Sequence, residues 1–316
     1  MKLRRVGDTG LRVSTVGLGC NNFGWTIDEK ASQAVVDKAL DLGVTLFDTA
    51  DYYGTKPGEA ETVLGRTLGA RRKDIVLVTK FGVDMAGNGM ARDSSRRYIL
   101  QAVEGSLKRL GTDWIDVYMI HWPDYETPME ETLRALDDLI AAGKIRYIAC
   151  SNLETWRVVD AVWTARSNGL HPFIAAENQY SLLAREAEAD MIPALEHQGL
   201  GFLPYFPLAS GMLTGKYTRG GASGASGRLA DNFLRLGDVF MSERNFDIVE
   251  ALDAFARERG HTLLELAISW LASKPVVSSV ICGATKPEQV EQNVAAAGWA
   301  LTPEELADID KISRPA

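Results

Sequence analysis

The chain has 316 residues, 46% of them hydrophobic and 24% charged, and a formal net charge of −8. That length suits two average domains or one large barrel, and the composition is that of a globular enzyme. The acidic balance argues against a nucleic-acid partner, and no apolar run approaches the roughly 18 residues of a membrane span, so no membrane partner is expected.

The opening MKLRRVGDTGLRVS reads as a short hairpin around Asp8-Thr9-Gly10, and no apolar signal region follows its two arginines. STVGLGC (14–20) is a strand-length apolar run, and Asp28 caps a helix with apolar positions at Ala31, Val35, Ala39 and Leu42, closed at Gly43. Strand 44–50, helix Glu59–Leu68 and strand 75–80 follow, then a glycine-bearing loop over 84–93. Ser94 or Ser95 caps a helix that ends at Gly111. Further along, strands at 114–121, 144–152, 173–179, 201–208 and 277–284 alternate with helices. Those helices are Met129–Ala142, Glu154–Asn168, Glu186–His197, Phe246–Arg259, Leu263–Ala272, Glu288–Ala297 and Glu304–Ile312. TRGGASGASGR (218–228) lacks periodicity and reads as a mobile loop.

Eight strands alternating with helices, without a linker between them, predict a parallel sheet. Eight such units fit a closed (β/α)8 TIM barrel, one domain over 1–316 with an N-terminal β-hairpin and extra C-terminal helices. Active sites of such barrels lie at the C-terminal strand ends, where Asp48, Lys80, His121, Asn152, Gln179 and Tyr205 fall.

Three successive strands thus end on Asp48, Lys80 and His121, and the loop after the first adds Tyr53. Singly, these are an ordinary N-cap, a surface lysine, a core histidine and a buried phenol; together at strand ends they read as an active site. An ammonium beside a phenol lowers its pKa from about 10 and makes it a better acid. Asp48 would hold Lys80 charged, and His121 would donate to a substrate oxygen where negative charge develops. Metal chemistry is not expected, because the histidines at 121, 171, 197 and 261 form no HxH or HExxH pattern. No GxSxG elbow is present for a serine hydrolase. Cys20, Cys150 and Cys282 have no CxxC or zinc spacing and read as buried thiols of a cytoplasmic protein.

FDTADYYG (47–54), VTKFG (78–82), EGSLKRLGTDWIDVYMIHWPD (104–124), GKIRYIACSN (143–152), ENQY (177–180) and PLASGMLTGKY (207–217) together resemble segments of the aldo-keto reductases, in the expected order. Within that family the chain resembles the bacterial and potassium-channel-β-subunit-like branch. The resemblance implies that Asp48, Tyr53, Lys80 and His121 are the catalytic tetrad, with Tyr53 as proton donor. It implies reduction of a small-molecule aldehyde or ketone by NADPH (NADP+ as product), NADH being the lesser expectation, without a Rossmann domain.

By the same resemblance Ser151, Asn152 and Gln179 hold the nicotinamide carboxamide and Tyr205 stacks on the ring. Phe206, Pro207, Leu208, Ser210, Gly211 and Lys216, with Arg228, cover the pyrophosphate. Gly283, Thr285, Gln289 and Asn293 hold the adenosine phosphate at a helix N-terminus. Many relatives carry Lys where this chain has Gly283 and Arg where it has Gln289, so Lys286 is the residue expected to supply the missing charge. Trp25, Tyr52 and Trp122, with Met85 and Tyr125, are candidates for an aromatic substrate mouth. The 218–228 loop is expected to close over the pyrophosphate. Two rival readings are a slow-turnover regulatory subunit, against which the lack of a long N-terminal extension argues, and a metal-dependent hydrolase. Oligomeric state is left open.

Overall fold

The structure is a computed structural model that describes residues 1–83, 85, 92–219, 229 and 236–314. Most of the 84–93 loop, and the expected lid beyond Arg219, with Arg228, lie outside the described residues.

A hairpin of β1 (Leu3–Arg5) and β2 (Arg12–Ser14) opens the chain, pairing Leu3 with Ser14. Eight parallel strands then form one sheet: β3 (Val16–Gly19), β4 (Leu46–Asp48), β5 (Val76–Phe81), β6 (Ile115–Ile120), β7 (Ile145–Ser151), β8 (Ala175–Glu177), β9 (Gly201–Phe202) and β10 (Val280–Gly283). They run in chain order from β3 to β9, with β10 returning to pair with β3. Closure comes from Phe202, whose N–H donates to the Val276 carbonyl (2.8 Å) and whose carbonyl accepts from Ser278 N–H (2.9 Å). One layer higher, Ile281 N–H donates to the Pro204 carbonyl at 3.2 Å. The ring is a (β/α)8 barrel, as the alternation predicts.

Strand alternation decides what points inward. Leu46, Val78, Val117, Met119, Ala149, Ala175, Leu203 and Ile281 pack together as the barrel interior, with hairpin residues Val6 and Val13 plugging the N-terminal end. Gly17 is required there: a Cβ on it would stand 2.6 Å from Leu46 Cδ2 and 2.9 Å from Ser279 Oγ. The Gly17–Gly19 pair is therefore a packing feature of β3. Residues of the other parity, such as Phe47, Tyr118, Ile148, Cys150 and Phe202, face the helices and build the shell core.

The helices start where the caps predict. Asp28 accepts from Ala31 N–H (2.8 Å) ahead of α1 (Glu29–Asp41), and Ser95 accepts from Tyr98 N–H ahead of α3 (Arg96–Leu110), so Ser95 rather than Ser94 is the cap. α2 (Glu59–Leu68), α4 (Met129–Ala141) and α5 (Thr155–Ser167) follow the expected spans closely. Reciprocal capping boxes at Thr262/Glu265 and Thr302/Glu305 open α9 (Leu263–Ser273) and α11 (Pro303–Ser313).

Three expectations need correction. The helix expected over 186–197 is a 3-10 turn, Glu186–Glu188, followed by α6 (Met191–Gln198). Pro193 fits the first turn of α6, but in one continuous helix its ring would clash with the carbonyl four residues back. The strand expected over 201–208 keeps only Gly201–Phe202, because Pro204 and Pro207 have no N–H for a ladder. The chain beyond it turns into a 3-10 segment, Ala209–Thr214, which the sequence did not signal. A short helix α7 (Leu236–Phe240) also precedes α8 (Glu243–Glu258), and α8 starts earlier than expected because Ser242 caps it.

Candidate active site

Interior parity carries the site. Counting by twos from Leu46, Val78, Met119, Ala149 and Ala175 reaches Asp48, Lys80, His121, Ser151 and Glu177, all inward at the C-terminal mouth. Lys80 is fully buried, and Asp48 and Glu177 are nearly so. The Lys80 ammonium donates to Asp48 Oδ1 and to the Thr49 carbonyl (3.1 Å), and it lies 3.3 Å from Glu177 Oε1. Burial works against this charge, but Asp48 and Glu177 prevail and hold Lys80 above its ordinary range, so it stays an ammonium.

Tyr53 lies on the segment after β4, its ring centre 5.6 Å from Lys80 Nζ. Its hydroxyl stands 3.4 Å from His121 Nε2, with the rings edge to face and 5.4 Å between centres. Burial, with Lys80 and Arg92 nearby, pushes the His121 pKa well below its ordinary value, so the imidazole is neutral. The expected lowering of the Tyr53 pKa by Lys80 is present but outweighed: burial raises it, with smaller contributions from Asp48 and Glu177. Lys80 therefore limits a desolvation penalty; it does not make a free tyrosinate. The arrangement can deliver one phenolic proton, and one imidazole N–H bond, to a single oxygen.

Two neighbours of this group escaped the sequence reading. Glu177 was hidden in the polar run ENQ, although Ala175 in the barrel interior two residues earlier is the signal for it. Arg92 stacks on Trp122, with its guanidinium carbon 5.3 Å from the ring centre, and so stands over the residue beside His121. Its position at the end of a loop gave no periodic signal.

The expected cofactor residues form two groups at the mouth. In the first, Ser151 Oγ donates to the Glu177 carbonyl (2.7 Å). Asn152, at φ 59°, donates from Nδ2 to the His121 carbonyl (2.9 Å) and accepts on Oδ1 from Tyr205 (2.7 Å). Gln179 is half-buried and its backbone bridges to Tyr205. Phe206 packs edge to face on Tyr205, and Phe206, Ala209 and Ser210 all have positive φ. Pro207 is buried, Leu208 accepts from Gly211 N–H (2.8 Å), and the exposed Lys216 lies against Gly211, where a Cβ would meet its side chain at 2.9 Å.

The second group surrounds α10 (Pro287–Ala295). Lys286 is its exposed N-cap without a side-chain cap bond, Asn293 donates to the Gly283 carbonyl (3.4 Å), and Gln289 accepts from Thr285 N–H and hydroxyl (2.7 and 3.1 Å). The Ile281–Pro204 hydrogen bond sets the ends of β9 and β10 side by side, so the two groups meet around one rim.

Of the expected substrate aromatics, Trp122 is closest to the chemistry, 6.1 Å from His121 ring to ring. Tyr52 and Tyr125 are exposed, the latter donating to Glu154. Trp25 instead lines an open groove of about 610 Å³ with Lys56, Glu59, Arg66 and Arg109, a groove that contains none of Asp48, Tyr53, Lys80 or His121. All three cysteines are free and buried. Among the described residues no cluster of three metal-ligating side chains occurs, and no helix is long and apolar enough to cross a membrane.

The chain is similar to known proteins over nearly its whole length. L-Glyceraldehyde 3-phosphate reductase of Escherichia coli (strain K12) is 35% identical, across 98% of this chain and 92% of the relative. Aldo-keto reductase YhdN of Bacillus subtilis (strain 168) is 34% identical, over 99% and 93%. A probable voltage-gated potassium channel subunit beta of Oryza sativa subsp. japonica is 37% identical, over 99% and 96%. The model of the aldo/keto reductase family matches residues 15–314, which takes in the whole ring of strands and every inward-facing group at its mouth: this chain belongs to that family.

Proposed function

We propose that the protein is an NADPH-dependent reductase of aldehydes or ketones. The observation that carries the reading is the convergence of the Tyr53 hydroxyl and His121 Nε2, 3.4 Å apart, above a buried, carboxylate-held lysine. When bound, the reduced nicotinamide supplies the hydride. The carbonyl oxygen takes a hydrogen bond from neutral His121 and then the phenolic proton of Tyr53, and the charge left on the phenolate faces Lys80. Asp48 keeps Lys80 ionised and fixed.

The residues present fit the cofactor. Asn152 Oδ1 retains a lone pair for a carboxamide N–H, and Ser210 Oγ is buried without a partner in a segment of left-handed backbone beside Lys216. The first turn of α10 has no side-chain cap and is open to a phosphate. Ser151, Asn152, Gln179 and Tyr205 would then take the nicotinamide, residues 206–211 with Lys216 the pyrophosphate, and Gly283, Thr285, Lys286, Gln289 and Asn293 the adenosine end. A panel of carbonyl compounds, with NADPH consumption followed by absorbance, tests the reading; no turnover of any of them would reject it. The proton-transfer set is common to this reading and to the regulatory-subunit alternative, so turnover of these carbonyls is what separates the two.

The cofactor preference has its own test. With Gln289 engaged by Thr285, Lys286 is the cation placed to pair with a 2′-phosphate at the start of α10. Lys286→Ala should shrink the preference for NADPH over NADH by about 1–3 kcal/mol, the range of a charge-assisted hydrogen bond. Fluorescence titration of both cofactors measures it, and equal affinities in the unaltered protein would overturn the assignment.

A further inference from the structure

Behind Tyr53 the barrel holds one ammonium and two carboxyl groups. Glu177, the last residue of β8, is 3% exposed, sits 3.3 Å from Lys80 and faces the Asp48 carboxyl. Its Oε2 has no donor partner. A buried carboxylate oxygen without a donor is costly, whereas a protonated carboxyl facing another carboxylate needs none. Charge counting agrees. With both acids ionised the trio is −1 in a dehydrated pocket; with one proton between them it is neutral.

We propose that Glu177 is a positioning residue that sets the charge behind Tyr53: protonated and donating to Asp48, it leaves the Lys80 charge opposed by the single Asp48 carboxylate, and on ionising it adds a second negative charge against it. The inference rests on the reading of Tyr53 as proton donor. Burial and the neighbouring Asp48 raise the Glu177 pKa to about 8, with Lys80 opposing, so the proton is shed in a working pH range. Once shed, the second negative charge makes Tyr53 a weaker acid. Carbonyl reduction therefore falls as pH rises through the Glu177 ionisation. The other titratable groups facing Glu177 are Asp48 from β4, Lys80 from β5, Tyr53 after β4 and Tyr205 after β9. Cys20 lies beyond Asp48, and burial raises its thiol well above this range. From β7, Ser151 reaches only the Glu177 main chain.

Infrared spectroscopy of the full chain without substrate gives a direct test. A protonated carboxyl band should be present at neutral pH and titrate away with a midpoint of about 8. Asp51, also buried and raised, contributes a carboxyl of its own, so carbon-13 labelling of glutamate or of aspartate separates the two. The titrating band should shift with labelled glutamate and vanish in Glu177→Gln, which keeps a donor for Asp48 without an ionisable proton. In the pH profile of carbonyl reduction, the alkaline decline should move to higher pH in Glu177→Gln, whatever happens to the maximal rate. Absence of any titrating band that shifts with the glutamate label and is lost in Glu177→Gln, or superimposable profiles for the two proteins, would overturn the proposal. If Glu177→Gln does not fold, the labelled wild-type titration decides alone. Absence of turnover in both proteins would reject the reductase reading, and the infrared midpoint would still decide for or against the protonated Glu177.

Discussion

Replacing Tyr53 by Phe is expected to lower carbonyl reduction by about 10²–10⁴-fold, the usual loss when a general acid is removed, while NADPH still binds. The substitution deletes one hydroxyl and keeps the ring that packs edge to face on His121 and lies over Lys80, so the site loses its proton and little of its shape. His121 does not substitute for it as acid, because its neutral imidazole has no acidic proton to spare near neutrality. Single-turnover kinetics with a reactive aldehyde, alongside fluorescence titration of NADPH, separate chemistry from binding. Turnover close to that of the unaltered protein would dismiss Tyr53 as the donor.

Lys80→Met should damage both activity and stability. Met fills similar volume but leaves Asp48 and Glu177 buried without a cation, and breaking a buried ion pair in this way costs about 3–5 kcal/mol. The sign of the pH dependence follows. In the variant the folded state keeps both carboxyls protonated, while the unfolded chain releases those protons above the ordinary carboxylate range. The folded state then binds more protons, so the variant loses stability as pH rises through that range and recovers it on acidification. Urea denaturation at several pH values measures this against the unaltered protein. Turnover should fall together with it, because the phenolate loses its counter-charge; equal stability at neutral pH would mean the carboxylates are solvated and the site is not closed.

The strands and their ionisable ends were legible because a parallel strand is a short apolar run and a charge at its end stands out. Asp48, Lys80 and His121 were visible for that reason. Glu177 was not, because it opens a polar run in which Asn178 and Gln179 draw the eye; only the parity of the barrel interior, a property of the folded sheet, marks it. The lowering of the Tyr53 pKa by Lys80 is outweighed by burial, which no local pattern reveals. Hydrophobic periodicity runs the 186–197 helix and the 201–208 strand through Pro193, Pro204 and Pro207, whose rings and missing N–H groups divide the first and shorten the second. The 3-10 turn at Ala209–Thr214 depends on left-handed backbone at Ala209 and Ser210, residue types that give no warning of it.

The closure of the ring at Phe202 has a kinetic meaning. β6 and β7 share a ladder from Ile115 to Ile120, whereas β9 and Pro204 after it meet β10 and the residues before it through the hydrogen bonds of Phe202 and Pro204 to Val276, Ser278 and Ile281. A barrel breathes where its ladder is shortest, and this seam lies directly beneath the segment from Tyr205 to Lys216. Amide hydrogen exchange should therefore be faster at Phe202 and Ser278 than at Val117 and Met119. Saturating NADPH should slow it at the seam, because a ligand gripping both the 205–216 segment and the start of α10 spans the gap like a staple. Under the proposed function the gap in the ring and the cofactor rim are one joint, and release of the dinucleotide would widen it.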